Sequence, residues 1–420
     1  MSQVTVAVVG TGLIATKKHL PSLRRLDDRA TIIGLVDVNQ DAARAVARAF
    51  GITNVYGSLA ELLAVQRPDM IDVCTPPRTH AALAVQALEG GAHVMIEKPM
   101  AIDVAECDRI VDAATRTGRK VCVAHSDLFY DSFMEARERV RRGEIGAFRG
   151  MRILLSTPSD YMTSKPDHWA HKLPGGVFGE SGPHPVYMAL AYINPIREVK
   201  VHGHKLLTEY PWSAFEDYRI DLIGDQGVCS VTLLYTTKHW AAEVEIWGSD
   251  GCLRADLESQ ALVEYRRKEL KPAEVGVSAL SEAVQIVATA ASTGMRYALG
   301  KRRNTHDHLL ERFIDSIQRD TASPVSMEEG REAVRVMNLI VKELERQSGA
   351  PLGGAPQGGS PSSAPSSAPS SAPPSAPSAG PSAAPSAGQG SALGSATGNG
   401  ATQVAPAGSN GADAAARAGA

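Results

Sequence analysis

One stretch near the start of the chain limits what it can fold into more than any other. Val4-Thr5-Val6-Ala7-Val8-Val9 is followed at once by Gly10-Thr11-Gly12-Leu13-Ile14-Ala15. An apolar run without alternation marks a strand covered on both faces. Glycines directly after such a strand, with a helical segment behind them, make G-x-G-x-x-A in the context of a dinucleotide fingerprint. Gly10 permits the tight turn, Gly12 lets the backbone approach a pyrophosphate, and Ala15 lets the helix pack close to the strand. Free N–H groups at the helix start then face the phosphates. A second apolar run, Thr31–Val36, ends in Asp37, 22 residues beyond Ala15. A carboxylate there accepts the ribose hydroxyls of an adenosine. Gly10, Gly12, Leu13, Ile14 and Asp37 are thus the expected nucleotide contacts. Asp37 would repel a 2′-phosphate, which favours NAD, with NADP as the alternative because Arg44 and Arg78 lie within reach in the sequence.

The alternation continues. Apolar runs at Met70–Cys74, Ala92–Ile96 and Lys120–Ala124 are separated by helical patterns at Asp41–Phe50, Leu59–Gln66, Thr79–Glu89 and Val104–Thr117. Strands alternating with helices of this length predict a parallel, doubly wound α/β sheet. The first helix, Ile14–Arg25, is expected to bend at Pro21. After Phe133–Arg142 the pattern changes: Gly150–Ser156, Glu198–His204, Tyr218–Gly224, Val228–Thr236 and Glu243–Trp247 are strand-like with few helices between. A second, largely antiparallel sheet follows, with one clear helix from Pro183-His184 to Tyr192. His306–Gln318 and Met327–Arg346 close it as amphipathic helices, the latter with Ser326 and Glu329 as a capping box. The expected organisation is a nucleotide domain over 1–125, an α+β domain over 126–347, and a tail from Ser348. That tail is Ser, Ala, Pro and Gly with only Asp413 and Arg417 charged, so it is expected to be disordered.

Composition excludes other classes. A net charge of −3 with no basic stripe argues against nucleic acid. Cys74, Cys107, Cys122, Cys229 and Cys252 form no C-x-x-C and no metal-ligand spacing, so no metal is expected. A first strand entered by residue 4 and unpaired cysteines give a cytoplasmic expectation. Val275–Leu299, ending in Gly300-Lys301-Arg302-Arg303, is interrupted by Glu282, Gln285 and Arg296. It is read as a packed helix or interface element, not a membrane span.

Ligands of a parallel sheet sit beyond the carboxyl ends of its strands. One such end carries Cys74-Thr75-Pro76-Pro77-Arg78-Thr79-His80, where two prolines enforce a turn beside the glycine loop. Another carries Glu97-Lys98-Pro99, and a third Ala124-His125-Ser126-Asp127. Asp103 with Glu106 reads as a helix cap and Asp69 as a turn residue.

At these residues the chain resembles the Gfo/Idh/MocA family, named for glucose–fructose oxidoreductase, inositol 2-dehydrogenase and rhizopine catabolism. The resemblance runs from Val4 to Leu344. It rests on the glycine loop, on Thr75-Pro76 followed by His80, and on Ala87-Leu88-Glu89-Gly90-Gly91-Ala92-His93-Val94-Met95-Ile96-Glu97-Lys98-Pro99. A third signature is the Gly-rich turn Pro174–Gly182 leading to His184, with Glu180 where the family usually has Asp. The resemblance implies Thr75, Pro76, His80, Glu97 and Lys98 at the cofactor and Lys98, Glu180 and His184 in catalysis. It implies an NAD(P)-dependent oxidoreductase acting on a hydroxyl of a sugar, sugar derivative or cyclitol, and a homo-dimer or tetramer formed through the open face of the second sheet. Hydride removal from a carbinol carbon requires a base for the hydroxyl proton, which His184 meets more easily than a lysine of ordinary basicity. Glu180, one helical turn before His184, is expected to orient the imidazole or touch the sugar. An aromatic face with polar groups suits a sugar, so His125, Trp169 and Lys172 are the expected substrate contacts, the last two in the loop Asp160–Lys172. An NAD-dependent glycosidase of the same fold and a nucleotide-sensing protein are the competing readings.

Overall fold

In the computed structural model, residues 3–300 and 303–353 are described. Strands β1 (Val4–Val9), β2 (Ala30–Val36), β3 (Val55–Tyr56), β4 (Met70–Val73), β5 (His93–Ile96) and β6 (Val121–Val123) form the first sheet. Their order is β3-β2-β1-β4-β5-β6 with every neighbouring pair parallel. The direction of winding reverses between β1 and β4, which opens a crevice over the glycine loop. Helices α1 (Leu20–Arg25), α2 (Gln40–Phe50), α3 (Leu59–Val65), α4 (His80–Glu89) and α5 (Val104–Thr117) connect the strands. Asn39, Ser58 and Asp103 cap the helices that follow them, each accepting from the backbone N–H three residues further on. Asp69 is more than a turn residue: its carboxylate accepts from Thr5 N and Oγ1, tying the starts of β1 and β4.

The first helix departs from a uniform Ile14–Arg25. Ala15–His19 is wound as a π-helix and α1 continues it. Pro21 has no N–H to offer the preceding turn and its ring crowds the carbonyl four residues back, which a wider turn relieves. The same winding carries His19 fully into the interior.

After α6 (Asp131–Arg141) the second sheet contains β7 (Phe148–Ser156), β8 (Ile196–His204), β9 (Asp217–Gly224), β10 (Gly227–Leu234), β11 (Ala241–Gly248), β12 (Cys252–Asp256) and β13 (Ala261–Tyr265). The order is β13-β12-β11-β7-β10-β9-β8, antiparallel throughout except β7 with β10. The two short strands β12 and β13 extend the expected five. Between β7 and β8 the chain makes α7 (Val177–Ser181) and α8 (Pro183–Ile193), and α8 packs on the sheet.

Three helices follow: α9 (Pro272–Ala298), α10 (Thr305–Arg319) and α11 (Met327–Ser348). Helix α9 lies along β13 but is no core helix: Val277, Leu280, Val284, Ile286 and Val287 are each at least half exposed, which leaves the interface element of the two readings. One expectation fails here: the tail does not begin at Ser348. Gly349 caps α11, Leu352 is buried, and its carbonyl accepts from Gly175 N at 2.7 Å. The rest of the expected tail, from residue 354, lies outside the described residues. Nor is 125/126 a clean division. Helix α10 returns to pack on α1 and β1, with Arg25 paired to Asp307 at 2.5 Å, while α11 touches both α5 and β8.

Candidate active site

The glycine loop has the shape its sequence promised. Gly10 has φ +93°, and a Cβ there would stand 2.7 Å from the Cys74 carbonyl oxygen and 3.0 Å from Thr75 Cγ2. Only glycine lets β1 turn this close to the end of β4. At Gly12 a Cβ would meet nothing within 4 Å, so the loop's outer side is open. Leu13 beside it is half exposed and Ile14 partly buried. Asp37 stands at the end of β2, where one carboxylate oxygen accepts from Thr11 N at 2.8 Å and Thr11 Oγ1 at 2.7 Å, the other from Asn39 N at 2.9 Å. Thr11 thus fixes the acid at the rim of the loop. An open glycine turn, helix-start N–H groups and a fixed carboxylate fit an adenine dinucleotide. Arg44 is held by Asp41 and Gln40, and Arg78 reaches the carbonyl of Lys172. Among the described residues no cation is paired with Asp37.

Thr75 lies beside Gly10, but His80 is not at the surface. Its ring is fully buried, with Nδ1 2.9 Å from Pro99 O and Nε2 2.7 Å from Thr75 O. Burial pushes the imidazole down against the pull of the two carbonyls. His80 therefore stitches the Thr75 turn to the Lys98-Pro99 turn.

Glu97 also points inward, into a buried cluster beneath the crevice. One oxygen is 2.8 Å from His19 Nε2 and 3.5 Å from His306 Nε2, and the other accepts from Lys98 N at 3.1 Å. His19 turns its Nδ1 to Asp72 at 2.8 Å. Burial opposes charge in both partners, yet Asp72 holds His19 well above the usual imidazole range, and His19 with His306 holds Glu97 well below the carboxylate range. The atoms of His19, Glu97 and His306 lie close enough to surround a cation. The 2.8 Å contacts of His19 with Glu97 and with Asp72 are hydrogen-bond distances, so these buried groups are already paired.

Lys98 does reach the crevice. Its Nζ donates to Glu180 O at 2.9 Å and pairs with Glu180 Oε1 at 2.8 Å. Burial works against the ammonium, but Glu180 and then Glu97 outweigh it, and the group stays above the ordinary lysine range. A lysine kept charged is a poor base and a good stabiliser of negative oxygen.

His184 lies in the first turn of α8, delivered by the Gly-rich turn. Gly175 and Gly176 have φ +84° and +61°, and α7 with Glu180 follows immediately. Among the described residues Glu180 makes no hydrogen bond to His184; it pairs with Lys98, so of its two expected roles only contact with the sugar stays open. Asp127 orients the imidazole instead: its Oδ2 is 2.7 Å from His184 Nδ1, and Tyr187 Oη is equally close. Asp127 N donates to Tyr187 Oη at 3.2 Å, which closes the set. Burial raises Asp127, but His184 first and Lys98 next bring its carboxyl below the usual range. Among the described residues Nε2 of His184 has no hydrogen-bond partner, so it is the nitrogen free to take a proton.

The remaining substrate candidates divide. His125 is buried and stacked on Tyr187 at 4.3 Å, with burial pushing it down to about 3, so it supports Tyr187 from behind. Trp169 and Lys172 are exposed on the turn Trp169–Lys172. From the same loop Tyr161, half-buried and edge-on to Trp240 at 5.1 Å, lies within the electrostatic reach of Glu180 and Lys98. Asp127, Tyr187 and Tyr161 are the site residues that the sequence reading did not select.

Residues 4–125 match the oxidoreductase family with an NAD-binding Rossmann fold, and residues 133–254 match the GFO/IDH/MocA C-terminal domain. An uncharacterized oxidoreductase, ORF334, of Rhizobium meliloti is 34% identical over 151 residues, 36% of this chain and 45% of that protein. This local match spans less than half of that relative. The myo-inositol 2-dehydrogenase of Thermotoga maritima is 23% identical over 369 residues, 83% of this chain and 98% of that one. In fold the chain is similar to the WlbA dehydrogenase from Bordetella pertussis, solved with NADH and UDP-GlcNAcA. The TM-score is 0.66 at 21% identity, covering 82% of this chain and 96% of that one. With both of its characteristic domains matched in order, this chain belongs to the Gfo/Idh/MocA family of NAD-binding oxidoreductases.

Proposed function

We propose that this protein moves hydride between NAD and a secondary hydroxyl of a sugar, sugar derivative or cyclitol, with His184 as the base. The observation that carries the reading is the imidazole fixed at Nδ1 by Asp127 and Tyr187 with Nε2 free, in the same crevice as a charged Lys98. Dehydrogenases of such hydroxyls among the relatives, myo-inositol 2-dehydrogenase and D-glucoside 3-dehydrogenase, support the substrate class. The glycine loop, Asp37 and the Thr75-Pro76 turn would hold the dinucleotide, which when bound supplies the hydride acceptor. His184 Nε2 takes the hydroxyl proton, and Asp127 stabilises the imidazolium that forms. Lys98 steadies the oxygen as negative charge grows on it, and Glu180 keeps that ammonium in place. Tyr161, Trp169 and Lys172 are assigned to the substrate side. Five free cysteines, four of them buried, support a reducing, cytoplasmic setting.

A panel of polyols, sugars and sugar nucleotides assayed for reduced nicotinamide tests this. At least one is expected to reduce NAD, with the signal lost in His184→Ala. Glycoside cleavage without net reduction would replace the proposal by the eliminating glycosidase.

A further inference from the structure

Helix α9 turns its polar side to the protein. Its inward residues are chiefly Ser278, Glu282, Gln285, Thr289 and Thr293. The reason is the edge it covers. Strand β13 ends the second sheet and would leave backbone groups unpaired. Gln285 Oε1 accepts from Glu264 N at 2.8 Å, and its Nε2 donates to Glu264 O at 3.1 Å. Ser278 Oγ meanwhile donates to Glu282 at 3.2 Å. With the polar side so used, the apolar side faces out: Val277 is 69% exposed, Leu280 67%, Val284 59% and Val287 69%. Ala291 and Gly294 continue the line. These six positions are spaced three and four residues apart, a heptad seam, and none is charged.

We propose that this seam pairs with α9 of a second copy of the chain, antiparallel and about a two-fold axis. In an antiparallel pair the two kinds of seam position meet each other. Val277 then faces Gly294, Leu280 faces Ala291, and Val284 faces Val287. Large residues occupy the first four positions of the seam and small ones, Ala291 and Gly294, the last two. Reversing the direction therefore sets large against small in each outer layer, whereas a parallel pair would crowd one end and leave gaps at the other. The helix is about 40 Å long. Burying its seam with the flanking Ile286 and Met295 on both copies removes on the order of 1,000 Å² from water, the scale of a specific interface. A lipid surface would use the apolar face but would gain nothing from this spacing or complementarity.

The test is the solution mass of the full-length protein by sedimentation. Leu280→Glu combined with Val284→Glu is expected to halve the assembled mass while the thermal midpoint and NAD binding persist. Gly294→Leu overfills the layer against Val277 and should raise the dissociation constant about tenfold or more. That single variant decides the matter if the double variant fails to fold. An unchanged mass in both variants overturns the proposal. So does a monomer that floats with anionic phospholipid vesicles, more tightly as Gly294→Leu.

Discussion

Lys98 and His184 border one crevice, and the charges around each separate their tasks. Glu180 keeps Lys98 an ammonium beyond the ordinary lysine range, so this group loses no proton as pH rises through neutrality. The hydroxyl proton is then left to His184, whose Nε2 is free. Turnover should therefore fall roughly 10²–10⁴-fold in His184→Ala. Asp127→Asn belongs with His184→Ala: it should cost about 10²-fold in kcat with little change in NAD affinity, whereas Glu180→Gln should cost under about 10-fold. Steady-state kcat and NAD affinity of these variants and Lys98→Met check this, and turnover that survives in His184→Ala would transfer the base to another group. Lys98 and His184 were legible because motif spacing names them. Asp127 was not: β6 ends at Val123 and a tight turn at Ser126–Phe129 rotates the chain, so strand alternation cannot say which of His125 and Asp127 looks into the crevice.

Unbroken apolar runs announced β1, β2, β4, β5 and β6, because a strand buried on both faces leaves no other pattern. The five-residue strands β12 and β13 mix charge with short apolar stretches and gave no comparable signal. Helix α11 shows a third case. Its capping box was legible, but its end was not, because Gly349 stops the helix while Leu352 carries on as an anchor. Leu352 is 8% exposed and its carbonyl holds Gly175, the glycine that opens the turn toward Glu180 and His184. Composition alone assigned it to the tail. Ending the chain after Gly353 should therefore leave melting temperature and turnover unchanged. Ending it at Gln347 should cost about 1.5–3 kcal/mol from the lost leucine and lower turnover as the Gly175 turn loosens. Urea melts of the two truncations separate these outcomes; equal stability would remove Leu352 from the core account.

At the scale of the whole molecule, the buried cluster His19–Asp72–Glu97–His306 joins the first helix, two strands of the first sheet and the start of α10. Its members are far apart in sequence, so no local pattern could reveal it; only the return of α10 to α1 brings His306 to Glu97. The cluster lies behind Lys98, since the second oxygen of Glu97 holds the Lys98 N–H. Its charges set a pH dependence whose sign follows from linkage. The folded state holds His19 protonated well above the usual 6.5, so its contribution is complete below about pH 6.5 and is lost as pH rises through the folded-state value. Glu97 works the other way, its contribution present above about pH 4.5 and lost as pH falls further. His306, pushed down by burial, disfavours folding below about pH 6.5. Stability from the cluster should thus peak near pH 6.5. His19→Gln removes the cation between Asp72 and Glu97. The stability gap between wild type and this variant should be widest at pH 6 and narrow by about 1.4 kcal/mol for each pH unit crossed on the way to the folded-state value. Thermal melts at pH 6 and pH 9.5 measure it, and a gap of equal size at both would mean that His19 holds these strands by packing alone.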